Sequence, residues 1–395
     1  MNVLIVHRYF WPEEISTLPI MLKEVVNLHR ARGDKVTVVT GASMSNCEKW
    51  DEDLKSAVNI RFFSSEIDRK LTNLGRVKNM IRLFFLAIRV MRKNEFDLLY
   101  TVSYPPGLSA TLVAVVRLLR KKTKVIFYVQ DILTYRLSSK LQRGIYEKMF
   151  SYSCRGAHKV ITLTGDMENE ILRICDSFKC EVKDKVVKIP NYSPDLYTTD
   201  EDLVSNGIIE DSDYSIDIVY AGNHGEAQNL GHFIKVLASD DSFSSLKVVF
   251  FGEGTSKSSL KKIARDHEVA IDFRDPVSRE EINRIMADCT LGLVGARPGL
   301  MSYAFPSKLA SYNAAGVPGL VMAEGGSSLA AWLTENEIGF CFDPSDVGKA
   351  QQELKTALVQ TKGLDTGHVR KVAKRIYSLE SFAGQFKNQI FSTLN

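Results

Sequence analysis

Two hydrophobic rhythms alternate along the chain. Short, nearly continuous apolar runs recur at 2–6, 36–40, 60–63, 98–102, 124–128 and 159–163, then at 217–221, 247–251, 270–274, 291–295, 320–323 and 340–342. Between them lie longer segments with apolar residues three and four apart, such as 18–32, which Gly33 closes. Continuous runs suit strands buried on both faces, and the longer period suits helices laid on such a sheet. Strands alternating with helices predict doubly wound, parallel α/β domains. Ligands of these sheets sit beyond the strand carboxyl ends, where strand order reverses.

The rhythm fails once. Between Asp195 and Asp213 the chain turns acidic and aperiodic. The predicted organisation is a domain at 1–195, a linker at 196–213, a second domain at 214–375 and a closing helix within 376–395. That helix carries Leu379, Phe382, Phe386 and Ile390 at helical spacing and is expected to pack across both domains. A length of 395 residues suits two domains, each with its own core. The apolar run 84–88 lies between Arg82 and Arg89 and falls far short of the roughly 20 residues a spanning helix needs. Residues 1–8 turn polar too soon for a signal peptide and read as a first strand. Six cysteines with no CxxC pair suit a reducing, cytoplasmic setting.

Charge changes the picture. Residues 1–195 hold 32 Lys and Arg against 21 Asp and Glu, the remainder 19 against 26, so the net +4 divides into +11 and −7. From Arg69 to Lys93 every charged residue is basic. On a helix, Val77, Met80, Ile81, Phe84, Ile88 and Met91 form an apolar face, and Lys78, Arg82, Phe85, Arg89 and Arg92 form a second stripe. A basic stripe with an aromatic residue suits an anionic bilayer surface. No nucleic-acid module is readable, so nucleic acid is not expected as a partner.

Candidate chemistry gathers at predicted strand ends. Pro306 has the φ of a first helical turn, Ser307 is a cap-type residue, Gly316 provides the stop and Pro318 bars continuation. The Ser307 hydroxyl and Lys308 ammonium then sit where free backbone N–H groups converge, an anion site. Gly222 and Gly225 open a loop after the strand at 217–221, with Asn229 as the expected cap, and Phe251-Gly-Glu-Gly254 forms another. Neither is a dinucleotide fingerprint or a P-loop; together with the Ser307 helix start they point to a diphosphate. Asp131 ends the strand at 124–128 as a candidate catalytic carboxylate, with N-capping as the plainer alternative. His7 and Arg8 end the first strand, and His224 is a candidate to reach the same ligand. The clusters Asp51-Glu-Asp53 and Asp211-Ser-Asp213 fall in irregular stretches, and no metal site is read.

With these residues in place the sequence resembles the GT-B glycosyltransferases of family 4, especially bacterial enzymes of O-antigen, capsule and colanic-acid assembly. The resemblance is carried by Tyr9-Phe-Trp-Pro-Glu13, Arg32 to Gly41, Ser103-Tyr-Pro-Pro106, Val129-Gln-Asp131, Tyr220 to Gly225 with Gln228, Phe251 to Gly254, and Pro306-Ser-Lys308 to Pro318. It implies two tandem Rossmann-like domains with a cleft between them and a retaining, metal-independent sugar transfer without a cofactor. It also implies a nucleotide-sugar in the second domain, a UDP-linked N-acetylhexosamine being the expected donor. The first domain would take the acceptor, a lipid-diphosphate-linked saccharide, at the inner face of the cytoplasmic membrane.

By the same resemblance, the donor-binding residues are Gly222, Asn223, His224, Gly225, Gln228, Glu253, Arg274, Arg297, Tyr303, Ser307, Lys308 and Ser311. The acceptor-binding residues are His7, Tyr9, Trp11, Ser103, Tyr104 and Asp131. Asp131 and Lys308 are the catalytic candidates. Tyr303 and Ser311 stand where the family has a pair of glutamates, and Asn223 and Gln228 where it has Arg and Lys. Two alternatives share the architecture: a binding-only relative, suggested by Ser311, and a nucleotide-sugar epimerase.

Overall fold

The computed structural model describes residues 1–11, 17–42, 56–64, 73–104, 107–119, 122–193, 216–343 and 345–394. The expected linker and both acidic clusters lie outside these residues. The chain divides into two compact units, one of Met1–Asn191 with Gln385–Asn395, the other of Tyr192–Gly384.

In the first unit β1 (Asn2–Val6), β2 (Lys35–Ala42), β3 (Val58–Ser64), β4 (Leu98–Val102), β5 (Lys124–Tyr128), β6 (Lys159–Thr162) and β7 (Val186–Lys188) pair in parallel, in the order β3-β2-β1-β4-β5-β6-β7. Strand order reverses between β1 and β4. The helices Asn73–Lys93 and Leu108–Leu119 lay Leu83, Ala87, Leu112 and Val116 on Leu4, Val39 and Leu99 of the sheet. The hydrophobic rhythm misses β7, which has only three residues at a sheet edge.

The expected closing helix is shorter than the spacing suggests. It spans Leu379–Gln389 and gives way to a tighter turn at Phe391–Thr393. There Phe391 packs on the His29 ring at 4.8 Å, and Thr393 O accepts hydrogen bonds from Lys124 Nζ and His158 Nε2. Buried His29 spans Asp34 Oδ2 at 2.7 Å and the Tyr100 hydroxyl at 2.8 Å, and Asp34 also holds the Met1 ammonium at 2.7 Å.

The second unit repeats the plan. β8 (Ile216–Ala221), β9 (Val248–Phe251), β10 (Ile271–Arg274), β11 (Cys289–Val294), β12 (Gly319–Met322) and β13 (Gly339–Phe342) form a parallel sheet in the order β10-β9-β8-β11-β12-β13. The reversal falls between β8 and β11. The helix Ser307–Ala314 packs on this point. Its Tyr312 is fully buried: the hydroxyl accepts from Ala221 N at 3.0 Å and donates to Leu293 O at 3.2 Å. A methyl group built on Gly292 would lie 2.3 Å from the Tyr312 ring.

That crowding gives a direct test. Gly292→Ala should lower stability by about 1–3 kcal/mol through overpacking, read as a shift of the urea unfolding midpoint. Gly325→Ala, with nothing within 4 Å of the added carbon, is the neutral control.

Candidate functional site

The ends of β8, β9 and β10 are stitched together by main-chain hydrogen bonds. Gly222 N donates to Phe251 O at 2.9 Å, His224 N to Glu253 O at 2.8 Å, and Gly252 N to Arg274 O at 3.3 Å. Both glycines hold left-handed backbone, Gly222 at φ 144° and Gly252 at φ 133°. They are glycine for lack of room: a methyl on Gly252 would lie 1.9 Å from Gly222 O, and one on Gly222 would lie 2.3 Å from Lys308 Cε. Among the described residues, the N–H groups of Asn223 and Gly225 carry no hydrogen bond, and their loop opens toward Lys308.

Lys308 lies one turn before Tyr312 on the same helix face, so the seating of Tyr312 lays the lysine stem across Gly222. Its ammonium stands 5.4 Å from the Tyr220 ring centroid and has no carboxylate partner among the described residues. Burial holds its pKa below the ordinary lysine value. Pro306, not Ser307, occupies the cap position, at φ −77° and ψ 100°. Ser307 is therefore the first helical residue, a correction to the expected cap. Its exposed side chain and the first N–H groups of the helix remain beside Lys308.

Other expected donor contacts are differently disposed. The His224 ring is fully buried among Tyr220, Phe250 and Phe273, and neither ring nitrogen has a partner among the described residues. Burial, then the nearby Lys257, lowers its pKa; it serves as a core residue whose main chain, not its ring, shapes the loop. Arg297 is bound to Glu226, by Nη2 to the carboxylate and by Nε to the carbonyl, each at 2.9 Å. Arg274 is engaged by Asp272 at 2.7 Å. Glu253 pairs at 2.5 Å with Lys257, a residue the sequence reading passed over. Lys257 also bonds Asp275 at 3.0 Å and Arg274 O at 3.1 Å, tying the β9 loop to the β10 loop. The signal for it was the spacing of Glu253 and Lys257, four apart at a helix start.

Asn223 and Gln228 do converge. A methyl on Gly225 would meet Asn223 Nδ2 at 2.6 Å and Gln228 Oε1 at 2.8 Å, and that buried Gln228 oxygen has no partner among the described residues. Tyr303 follows the turn Leu300–Ser302, and Ser311 lies half-buried one residue before Tyr312.

At the reversal point of the first sheet, β1, β4 and β5 end together. Arg8 stacks on Tyr104 at 4.0 Å and Tyr9 at 4.8 Å, Lys23 stacks on Trp11 at 3.9 Å, and Asp131 N donates to buried Ser103 Oγ at 3.4 Å. Burial raises the Asp131 pKa, with Arg136 opposing, so this carboxylate holds a proton more readily than a solvated one. His7 does not present its ring: it is buried, with Nδ1 turned back on Tyr9 O, and burial pushes its pKa down to about 4. That corrects its expected role as an acceptor contact.

The helix Asn73–Lys93 carries two apolar stripes, and only one can face the sheet. The buried one is Leu83, Ala87, Val90 and Met91; small Ala87 marks the close approach. Val77 and Ile81, on the apolar face read from the sequence, are 47% and 48% exposed. They join Leu74 and Phe85 on an outer face with exposed Lys78, Arg82, Arg89 and Arg92. No helix among the described residues is long and apolar enough to cross a membrane. No group of three His, Cys, Asp or Glu among them could hold a metal ion.

Two family models match successive parts of the chain: Glycosyltransferase Family 4 over residues 20–191 and Glycosyl transferases group 1 over residues 208–366. The chain is a glycosyltransferase of the GT-B fold. Solved structures of the same architecture include sucrose-phosphate synthase from Thermosynechococcus elongatus (TM-score 0.71, 13% identity, 99% of each chain covered). Another is Anabaena Alr3699/HepE in complex with UDP and glucose (TM-score 0.67, 14% identity, 99% of this chain and 100% of that one). The lipopolysaccharide outer core galactosyltransferase WaaB matches at TM-score 0.68 and 11% identity over 99% of each chain. A comparison with curated proteins gave no match.

The burial of His7 makes stability depend on pH. Its folded pKa of about 4 lies below the 6.5 of a free imidazole, so the unfolded chain binds the extra proton. The His7 contribution is complete above pH 6.5 and lost progressively as pH falls toward 4, a loss of about 3 kcal/mol. Urea midpoints measured across that range should fall with acidity, and His7→Gln should flatten the slope. An unchanged slope in the variant would show that another group controls it.

Proposed function

We propose that the protein is a retaining, metal-independent glycosyltransferase. It moves a sugar of N-acetylhexosamine type from a UDP-sugar to a lipid-diphosphate-linked saccharide, in the assembly of a bacterial surface polysaccharide. The observation that carries the reading is the Lys308 ammonium, half-buried without a carboxylate where β8 and β11 diverge. A desolvated, unpaired cation beside free N–H groups is a costly arrangement that a diphosphate would stabilise. UDP as the carrier is supported by HepE, a similar fold that holds UDP and glucose.

In this mechanism the bond from the anomeric carbon to the diphosphate oxygen breaks, and negative charge grows on the leaving diphosphate. Lys308, the N–H groups of Asn223 and Gly225 and the first amides of the helix Ser307–Ala314 are the fixed positive ends for that charge. They are organised before the substrate arrives, so little reorganisation accompanies the reaction. Gln228 Oε1, without a partner among the described residues, is left for a sugar hydroxyl, and Ser311 stands one residue before Tyr312 on the side of the ribose. In the first unit, Asp131 takes the proton of the acceptor hydroxyl as that oxygen forms the new bond to the anomeric carbon; its raised pKa makes it the better proton acceptor. Arg8, Tyr9, Trp11 and Tyr104 form the cationic and aromatic surround for an anionic saccharide carrier.

The outer face of Asn73–Lys93 supports work at the inner face of the cytoplasmic membrane. Lys78, Arg82 and Arg89 have no ion pair among the described residues. Phe85 is 64% exposed between them. Exposed apolar side chains interleaved with unpaired cations suit an anionic headgroup layer, at about 1 kcal/mol per near-surface charge.

Lys308→Ala should reduce sugar transfer by about 10²-fold or more, measured as nucleotide release with lipid-linked acceptor, and should weaken UDP binding in calorimetry. Wild-type UDP affinity should also decline as pH rises, from a pH below the ordinary lysine range, because the bound diphosphate favours the charged amine. Unchanged turnover in the variant removes Lys308 from the mechanism. Arg82→Glu with Arg89→Glu should abolish sedimentation with phosphatidylglycerol vesicles and leave UDP affinity as it was; vesicle binding that persists sinks the membrane assignment.

A further inference from the structure

On the first unit, away from the strand ends, the helices Leu108–Leu119 and Lys140–Gly156 and the residue after Gly165–Ser177 enclose a groove of about 510 Å³. That volume is within the range of sites that hold small organic ligands. Its walls are apolar at Ala110, Ala114, Met149 and Phe178, and Lys148 and Arg155 also line it. Above it, Tyr152 is flanked by two guanidinium groups, Arg117 at 5.0 Å and Arg155 at 5.7 Å from the ring centroid. Gly156 is glycine for lack of room beside Val113, whose Cγ1 would lie 2.2 Å from an added carbon, and Arg117 Nη2 is in ordinary contact with the same spot at 3.5 Å.

Lys148 and Arg155 thus line the groove and Arg117 stands over its Tyr152, and none of the three has an ion pair among the described residues. The neighbouring carboxylate, Glu147, is turned away to Arg173 at 3.2 Å. Like charges held together around an aromatic ring repel one another unless an anion joins them. Stacking on the ring fixes each guanidinium plane and leaves its N–H edge free for a phosphate. A free phosphate would use the cations and leave the apolar walls in water. A ligand with a phosphate head and a hydrocarbon chain satisfies both.

We propose that this groove binds one anionic membrane lipid. The phosphate is held by Arg117, Lys148 and Arg155 at the rim of Tyr152, and an acyl chain lies along Ala114 and Met149. The source of the lipid rests on the membrane-facing reading above. The groove belongs to the same layer of helices as Asn73–Lys93, since Tyr152 packs against the core cluster that Leu83 and Ala87 help to build. Leu118, on the outer side of Leu108–Leu119, is 80% exposed. A lipid drawn into the groove would fasten the first unit to a bilayer that the basic helix only approaches.

The test uses the full-length protein and a lipid in monomeric form, so that no bilayer is needed. Dihexanoyl phosphatidic acid, kept below its micelle-forming concentration, is titrated by calorimetry. Dihexanoyl phosphatidylcholine and inorganic phosphate serve as comparators. Saturable single-site binding of phosphatidic acid alone is expected. Arg117→Gln with Arg155→Gln should weaken it by about tenfold or more. Ala114→Trp, which fills the groove and keeps every charge, should abolish it. Unchanged UDP binding in both variants verifies folding.

Equal binding of inorganic phosphate overturns the proposal in favour of a free-anion site, and equal binding of phosphatidylcholine shows that the cations select nothing. Absence of phosphatidic acid binding, with vesicle sedimentation intact, removes the groove and leaves the membrane face standing.

Discussion

The seating of Tyr312 is the constraint on which the strand-end loops of the second unit depend. Its ring fills the space that Gly292 leaves empty, and its hydroxyl bridges β8 to β11 at the point where strand order reverses. A helix pinned in this way cannot roll. Lys308, four residues earlier, is therefore delivered over Gly222, whose missing side chain makes the passage possible. The loop below has equally little freedom, since Gly252 and Gly254 each lie where a side chain would strike main-chain atoms of the β8 loop. Packing at these glycines fixes where the ammonium can be, and electrostatics then determines what it can hold.

The distribution of partners sharpens that point. The second half of the chain has a net charge of −7, yet the cations near its strand ends are unevenly used. Arg297 joins the β11 loop to the β8 loop through Glu226, Lys257 joins the β9 and β10 loops through Glu253 and Asp275, and Arg274 is answered by Asp272. These pairs maintain the shape of the loops, although exposed pairs of this kind contribute little to stability. Lys308 is the exception: half-buried, without a carboxylate among the described residues, and with a pKa that burial lowers. A cation that neither tethers a loop nor faces open water is suited to an anion that arrives from outside.

The sheets were legible in the sequence because strands buried on both faces leave continuous apolar runs, as β1, β4, β5, β9 and β12 do, and 12 of the 13 strands among the described residues fall where a strand was expected. The exception is the short edge strand β7, where only Val186 is buried. The helix Asn73–Lys93 shows the limit of periodicity: two stripes fit the pattern, and the small residue Ala87, not the larger Val77 or Ile81, marks the face that meets the sheet. Site residues divide in the same way. Gly222, Gly316 and Lys308 were legible because turn geometry and helix ends are local. The surroundings of His7, His224 and Arg297 were not legible, because a strand-end position does not say whether a ring turns into the core or which carboxylate pairs with a guanidinium. Lys257 was missed because its partners Asp275 and Arg274 come from a different strand-end loop.

In the proposed mechanism, Asn223 and Gln228 standing where the family has two cations has a consequence for turnover. Amide dipoles and backbone N–H groups attract a diphosphate less strongly than two full charges would, so the ground state is held mainly by one ammonium. An arrangement whose positive ends are fixed in place acts most where charge is developing, at the leaving oxygen, and less on the separated product. Ser311 bears on the same balance, since one hydroxyl grips a ribose less firmly than a carboxylate accepting two hydrogen bonds. Modest hold on substrate and product, with a single well-placed cation for the transition state, favours release of the nucleotide after each transfer. On this argument the departures from the family pattern moderate binding without removing the chemistry, because the groups that the proposal assigns to the developing charge are present.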